Sequence, residues 1–92
     1  MPGGLNILTI RLMPESPSVD MNQIKTDAEK AVKSIDGIFH SAKEEPIAFG
    51  LKALIIIVAI KENKSPDELE QILAKVKNVQ SIEVTDVRRA FG

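Results

Sequence analysis

Residue types that carry out catalysis are sparse in this chain. Its 92 residues include one histidine, His40, and no cysteine, which excludes disulfides, thiolate metal sites and cysteine nucleophiles. No serine or threonine stands in a nucleophile motif, and the acidic residues show neither EF-hand spacing nor a metal-binding histidine pair. His40 falls in a predicted edge strand, where a structural role is favoured over catalysis. The sequence therefore predicts no catalytic residue, no metal site and no cofactor.

Direct binding of nucleotides or nucleic acids is not indicated either. No glycine-rich phosphate loop follows a strand, because Gly3 and Gly4 precede the first strand and Gly50 stands alone. Twelve basic residues face 13 acidic ones, and this net charge of −1 gives no general attraction to a phosphate backbone. None of the three phenylalanines falls in a predicted central strand, where aromatic residues stack RNA bases in sheet-based RNA-binding domains.

The stretch EEPIAFGL, residues 44–51, is the first of two segments that a simple fold does not require. Pro46 cannot donate to a sheet ladder, and Gly50 tolerates backbone angles that other residues avoid. We therefore predict that Ile47, Ala48 and Phe49 lie on a stiff turn rather than inside a sheet. Phe49 would then reach solvent or a partner, and the alternative is a ring folded back over the edge of the core.

Arg88 and Arg89 form the second such segment, in a predicted tail that ends Ala90, Phe91, Gly92. They would be either a solvated terminal charge pair or a functional feature that the fold itself does not require.

The strands that position these segments follow from hydrophobic patterning. Residues 5–13 alternate apolar and polar side chains, which indicates a strand with one core face. Residues 53–60 are all apolar and five are β-branched, which favours a central strand and is too short for the ~20 residues of a membrane span. Residues 38–43 predict a weak edge strand. Residues 80–87 predict a last strand with a bulge or bend at Thr85 and Asp86.

Two helices are predicted between these strands. Asp20 and Gln23 resemble a capping box before an apolar series of three- and four-residue steps that runs from Met21 to Ile35, and Gly37 is predicted as its C-terminal cap. Ser65 is predicted as the N-cap of the second helix, with Pro66 at its first position and Glu68 completing a capping box. Its buried stripe consists of Leu69, Ile72, Leu73 and Val76, and Lys77 and Asn78 favour its carboxyl end.

The order strand, helix, strand, strand, helix, strand predicts an α+β, ferredoxin-like βαββαβ sandwich. Right-handed crossovers give a four-stranded antiparallel sheet of order 4-1-3-2 with two helices on one face. We expect residues 1–92 to form a single domain, with residues 1–4 loose. The amino terminus lacks signal-peptide features, so a cytoplasmic protein is expected.

The sheet face away from the helices poses a separate question. On the third strand Ala53, Ile55, Ile57 and Ala59 share that face and are all apolar. Two interpretations stay open. The patch contacts a partner or a second copy of the chain in a weak homo-oligomer, or long Lys, Arg and Met side chains cover it.

Three motifs together resemble a known family. MPESP at 13–17 with Val19 and Asp20, EEPIAFGL at 44–51 and SIEVTDVRR at 81–89 are similar to the archaeal type of translation elongation factor 1-beta, over nearly the whole chain. The resemblance implies a ferredoxin-like exchange domain without bond-making chemistry of its own. It would promote GDP release from elongation factor 1-alpha, the GTPase that carries aminoacyl-tRNA.

The resemblance also assigns roles to residues. In relatives an aromatic residue before the third strand enters a pocket on the GTPase, and the matching residue is Phe49, flanked by Pro46, Ile47 and Gly50. A carboxyl-terminal lysine that approaches the magnesium and phosphate region corresponds to Arg89, with Arg88 beside it. No membrane or direct nucleic-acid contact is implied.

Two other functions are compatible with the same fold. One is a regulatory domain that dimerises through the open sheet face and binds a small effector. The other, acylphosphatase-like hydrolysis, needs an arginine in a phosphate-binding loop after the first strand, and MPESP has none.

Overall fold

A computed structural model describes residues 4–90 and confirms the predicted order of elements. The strands are β1 (Leu5–Pro14), β2 (Ile38–Pro46), β3 (Lys52–Lys61) and β4 (Val79–Ala90), and the helices are α1 (Met21–Ser34) and α2 (Pro66–Ala74). The strands form one antiparallel sheet in the order β2-β3-β1-β4, with both helices on one face. This is the predicted ferredoxin-like arrangement.

The central pair of strands supplies most of the core. β1 pairs with β3 from Leu5 opposite Lys61 to Leu12 opposite Leu54, and alternate residues of both strands point toward the helices. The helices bury the predicted apolar stripes against them. The fully or nearly fully buried cluster comprises Leu8, Ile10, Leu12, Ile24, Ala28, Val32, Leu54, Ile56, Val58, Ile60, Leu69 and Leu73.

Both helices begin where the sequence predicts, although neither forms a complete capping box. The Asp20 carboxylate accepts a hydrogen bond from the Asn22 N–H at 2.9 Å, and the Ser65 hydroxyl accepts one from the Asp67 N–H at 3.1 Å. The reciprocal side-chain bonds are not made. The Gln23 amide instead donates to Asp27, and Glu68 pairs with Lys64. Each N-cap therefore satisfies one helix N–H through its side chain.

The end of α1 corrects the role predicted for Gly37. Asp36, not Gly37, adopts the left-handed conformation, with φ of 61°. The Asp36 N–H donates to the Lys33 carbonyl and the Gly37 N–H to the Val32 carbonyl, at 3.1 and 2.9 Å, which is the Schellman pattern. Gly37 is needed for space, because an added Cβ would lie 2.8 Å from Val32 Cγ1. Helix α2 also ends earlier than predicted, at Ala74, and the turn before β4 places Asn78 at φ 70°.

Two strands extend further than the sequence predicts. β2 continues through Pro46, which lies opposite Lys52, because a missing N–H is tolerated at the end of an edge strand. β4 continues through Ala90, so the predicted tail containing Arg88 and Arg89 is a strand. The predicted bulge is confirmed, since Thr9 opposes Asp86 and Ile10 opposes Val84, leaving Thr85 as the extra residue. Gly4 exchanges hydrogen bonds with Glu62, and the other residues predicted to be loose, 1–3, lie outside the described residues.

The apolar side chains on the outer face of β3 are largely covered. Ala53 is fully buried, and Ile55 and Ala59 are each 9% exposed. Arg11 lies opposite Ile55 and forms an ion pair with Glu83 at 3.8 Å, while its Nε atom is shielded from solvent. This arrangement supports coverage by long side chains. A homo-oligomer through this face stays a prediction, with little exposed apolar surface on β3 to stabilise it.

The two faces of β3 give a test of the core. Ile56 is fully buried beneath the helices, whereas Ile57 on the other face is partly exposed. We expect Ile56→Ala to lower the free energy of unfolding by about 2–5 kcal/mol, and Ile57→Ala to lower it by less. Urea unfolding of both variants measures the difference. An equal or larger loss for Ile57→Ala would contradict the assignment of the core to the helix-facing side.

Candidate partner-binding site

The loop between β2 and β3, residues 47–51, is a tightly hydrogen-bonded hairpin connection. The Ile47 N–H donates to the Leu51 carbonyl at 2.8 Å, and the Leu51 N–H donates to the Ala48 carbonyl at 3.1 Å. The two residues inside this turn, Phe49 and Gly50, both have positive φ, of 59° and 77°. Positive φ at both central positions is the pattern of a type I′ turn, whose twist matches that of the flanking strands.

Phe49 is held in solvent by this turn. Its side chain is 95% exposed, so the alternative of a ring folded back over the core is wrong. A left-handed backbone at a bulky residue is uncommon and costs about 1–2 kcal/mol. Pro46 and Ile47 beside it are also exposed. The ring is therefore exposed even though both its backbone conformation and its contact with water are unfavourable, a combination found at binding loops.

The base of the hairpin is tied across its strands and lies near a second loop. The Lys52 ammonium lies 3.8 Å from the Glu44 carboxylate, and both side chains are about half exposed. Pro14 at the end of β1 and Ser16 and Pro17 just after it line a cleft together with Glu44, Gly50 and Lys52. Two of the three motifs that carry the family resemblance, MPESP and EEPIAFGL, therefore meet at one end of the sheet.

The arginine pair lies on β4 and each guanidinium already has a carboxylate partner. Arg88 Nε lies 2.9 Å from Asp86 Oδ2, and Arg89 donates to Glu62 Oε2 at 2.9 Å. Both side chains are mostly exposed, and Arg88 more so than Arg89. As consecutive strand residues they point to opposite faces of the sheet.

The structure does not bring Phe49 and the arginines together. Arg88 lies opposite Ile7 and Arg89 opposite Asn6, and these residues in turn pair with Ala59 and Ile60 at the far end of β3. The hairpin precedes Lys52 at the near end. At about 3.3 Å per residue, the two segments are separated by roughly 25 Å along the sheet. The longest dimension of this domain is 47 Å. A partner that contacts both Phe49 and the arginines must therefore extend along about half of that length.

Other candidate chemistry is limited in the described part of the chain. His40 is exposed at a second bulge, between Phe39 and Ser41 of β2. Within residues 4–90 no three or more histidines and carboxylates are grouped so that they could hold a metal ion. Neither α1 nor α2 has the length and apolarity needed to cross a membrane.

Sequence reasoning missed two features of this site. Gly50 was expected to have unusual backbone angles, but the positive φ of Phe49 was not, because phenylalanine rarely adopts it. The predicted strands end at residue 43 and begin again at 53, so the sequence did not show that the loop is only five residues long and needs a tight turn. The pairing of Arg89 with Glu62 was missed because the arginines were placed in a tail rather than in β4.

Comparison with known proteins decides the family. Residues 7–90 match the family model described as the EF-1 guanine nucleotide exchange domain. This chain belongs to that family. It is similar to elongation factor 1-beta from Methanobrevibacter smithii, at 42% identity over 84 residues, with 90% of this chain and 93% of the relative covered. It is also similar to elongation factor 1-beta from Methanothermobacter thermautotrophicus, at 40% identity over the same shares.

Solved structures with low sequence identity share the fold of this exchange domain. The C-terminal domain of the MgtC protein from Mycobacterium tuberculosis gives a TM-score of 0.70 at 13% identity, covering 96% of this chain and 90% of that one. The ACT domain from GTP pyrophosphokinase of Chlorobium tepidum gives 0.54 at 16% identity, covering 84% and 94%. At these identities the likeness concerns the fold alone, so it lends no support to the effector-binding alternative.

The turn that displays Phe49 makes a specific prediction about Gly50. A Cβ at this position would meet no atom within 4 Å, so only the φ of 77° opposes a side chain. We expect Gly50→Ala to destabilise the domain by about 1 kcal/mol and Gly50→Asn by less, because Asn tolerates positive φ. Thermal unfolding of the two variants measures this difference. Equal stability of Gly50→Ala and the wild type would show that the turn does not depend on this conformation.

Proposed function

We propose that this chain is a guanine-nucleotide exchange factor that promotes GDP release from elongation factor 1-alpha, the GTPase that carries aminoacyl-tRNA. The single observation that carries the proposal is the nearly full exposure of Phe49 on a strained, hydrogen-bonded turn. In an exchange domain, such a ring is suited to enter a pocket on the GTPase. Pro46, Ile47 and Gly50 would surround it at the contact.

The mechanism requires only differential binding. A factor that binds the nucleotide-free GTPase more tightly than the nucleotide-bound form must, by linkage, weaken nucleotide binding by the same ratio. No bond needs to be made or broken by the factor. This is compatible with the sparse chemistry of the chain, whose single histidine lies exposed on an edge strand.

Burial of the Phe49 ring could supply the difference in binding free energy that this mechanism requires. Transfer of a phenylalanine side chain from water into a protein pocket contributes about 1.5–3 kcal/mol, which corresponds to a factor of roughly 10–150 in affinity. The ring is 95% exposed in the free domain, so almost all of that burial is still available. If the receiving pocket opens only in the nucleotide-free GTPase, the full factor accelerates GDP release.

The arginines would provide a second contact, roughly 25 Å along the sheet from the Phe49 ring. Family resemblance assigns Arg89, with Arg88 adjacent, to the magnesium and phosphate region of the GTPase. A cation there repels magnesium and competes for its anionic ligands, and loss of the metal loosens the phosphates. Each arginine must exchange its present partner, Asp86 or Glu62, for one on the GTPase. The pair of Arg88 with Asp86 is largely exposed, so that exchange costs little. The Glu62 side chain is only 26% exposed, and it keeps a hydrogen bond from the Gly4 N–H when Arg89 leaves.

Release of fluorescent GDP from purified elongation factor 1-alpha tests the proposal. We expect wild-type protein to accelerate release and Phe49→Ala to reduce the acceleration at least tenfold, because the buried ring is worth roughly that factor. Urea unfolding of Phe49→Ala should match the wild type, since an exposed ring contributes little to the core. Ile38→Ala is the matched control, because Ile38 is also an exposed apolar residue of this hairpin but lies at its opposite end. No acceleration by the wild type would overturn the proposal.

The same assay separates the roles of the two arginines. We expect the double variant Arg88→Gln/Arg89→Gln to reduce the acceleration about tenfold, the loss expected for one charge-assisted contact. The single variants assign that loss to one side chain. Raising the magnesium concentration should slow release with wild-type protein more than with the double variant, because only the wild type competes with the metal. An unchanged rate in the double variant would remove the arginines from the mechanism.

A further inference from the structure

We propose that the groove between α1 and α2 binds an acidic segment of a partner protein, one that carries an apolar side chain among its carboxylates. This helix groove shares no lining residue with the β2–β3 hairpin or with β4, so the inference goes beyond the proposed exchange function and does not depend on it. Helix α1 contributes Asp27, Lys30 and Ala31 to the lining, and the end of α2 with the turn that follows contributes Ile72, Lys75, Val76 and Lys77.

The helix groove is positively charged although the chain as a whole is not. Its lining holds three ammonium groups and one carboxylate, in a chain whose net charge is −1. Within residues 4–90, Lys30, Lys75 and Lys77 form no ion pair. The Asp27 carboxylate is engaged by the Gln23 amide, which donates to both of its oxygens at 3.1 Å. The three ammonium groups therefore repel one another around one groove, and an anionic occupant would relieve that repulsion.

The charge at the end of α2 is partly explained by the helix itself. Lys75 is the C-cap of α2 and Lys77 follows two residues later, where a cation interacts favourably with the carboxyl end of the helix dipole. Lys30 has no such role, because it precedes the last turn of α1, where the dipole acts. Nor does it have a carboxylate four residues away, as Lys33 has in Glu29. Neither helix therefore requires a lysine at position 30, beside the other two.

The apolar residues of the helix groove lie deeper than its lysines and are held in place. Ala31, Ile72 and Val76 are partly buried and pack against the core, whereas the three lysines are exposed. The Lys75 N–H donates to the Ile72 carbonyl at 3.3 Å, and the Val76 N–H donates to the Leu73 carbonyl at 3.0 Å. Because the backbone is already ordered here, an apolar side chain of a partner can be buried with little loss of conformational entropy.

Other anions would use less of this surface. A free phosphate or the phosphates of RNA would contact the lysines but leave the apolar residues uncovered, and none of the described lining residues is aromatic and able to stack a base. The helix groove has a volume of about 370 Å³ but is wide open to solvent, whereas small-molecule pockets enclose most of the ligand surface. An acidic protein segment uses both parts, because its carboxylates reach the lysines while its apolar side chain covers the apolar residues.

NMR titration of the ¹⁵N-labelled chain tests the proposal. The probe is a short synthetic peptide of glutamates with leucine at every third position. We expect the amide signals of residues 27–31 and 72–77 to shift together along one binding curve. A version with lysine in place of glutamate should shift none of them, and a version with serine in place of leucine should bind at least threefold more weakly, because apolar burial is lost. No shift in these two ranges with the glutamate peptide would overturn the proposal.

Charge variants with a matched control locate the contact. We expect Lys30→Gln, Lys75→Gln and Lys77→Gln each to weaken peptide binding about twofold to fivefold, the size expected for an exposed ion pair. Lys25→Gln is the control, because Lys25 is also an exposed lysine of α1 with no ion pair in the described part of the chain, but it does not line the groove. The same spectra show that each variant is folded. Equal losses in Lys25→Gln and Lys30→Gln would contradict a contact in the groove.

Titration with other anions identifies the class of occupant. Inorganic phosphate and a short single-stranded RNA of uridines are added to the labelled chain at the same ionic strength. The proposal requires the glutamate and leucine peptide to bind at least threefold more tightly than either of them, and equal or tighter binding of RNA or phosphate would overturn it. None of these measurements uses the GTPase. Failure here therefore leaves the exchange function standing, and failure of the wild-type chain to release GDP leaves the helix groove standing.

Discussion

The pairing of β1 with β3 determines where every candidate contact lies. These strands run side by side over eight registered pairs, from Leu5 and Lys61 to Leu12 and Leu54, and their helix-facing side chains form most of the core. β3 continues backward into the hairpin that carries Phe49, while β1 pairs at its other end with the part of β4 that carries the arginines. A shift of one residue would move the apolar side chains of β3 to the opposite face. The core thus fixes the separation between the ring and the cations.

The strained backbone of Phe49 is maintained because its turn is attached to a rigid sheet. A left-handed phenylalanine costs about 1–2 kcal/mol, and a flexible loop would relax out of that conformation. Here the turn is closed by two backbone hydrogen bonds, and its strands are joined by the sheet ladder and by the pair between Glu44 and Lys52. Because the loop is already ordered, little conformational entropy is lost when a partner covers it. The strained turn thus holds the ring ready for the proposed contact.

Patterning predicted the elements well and their ends less well. Alternation in residues 5–13, the apolar run at 53–60 and the N-caps Asp20 and Ser65 depend on local chemistry, and the structure confirms each of them. The ends of β2 and β4 depend instead on neighbours distant in sequence. Arg88 and Arg89 are strand residues because β1 extends far enough to pair with them. Asp36 rather than Gly37 takes the left-handed position, and Gly37 lies so close to Val32 that a Cβ would not fit; the sequence pattern shows neither. Among the candidate site residues, the exposure of Phe49 was predictable, but its distance from the arginines required the register.

That distance constrains how an exchange factor of this shape can act. A ring and a cation held roughly 25 Å apart on one sheet cannot both enter a single small pocket, so the proposed mechanism requires the GTPase to offer two receiving points. The sheet is stiff, with its central strand buried on both faces, so both contacts form together only when those points have the matching separation. A ligand shifts an equilibrium by no more than its difference in affinity for the two states. Loss of nucleotide could change the distance between the two receiving points on the GTPase. The rigid sheet would then bind the nucleotide-free and nucleotide-bound forms with different affinities. A flexible linker between the same two groups would bind both states almost equally and would release little GDP.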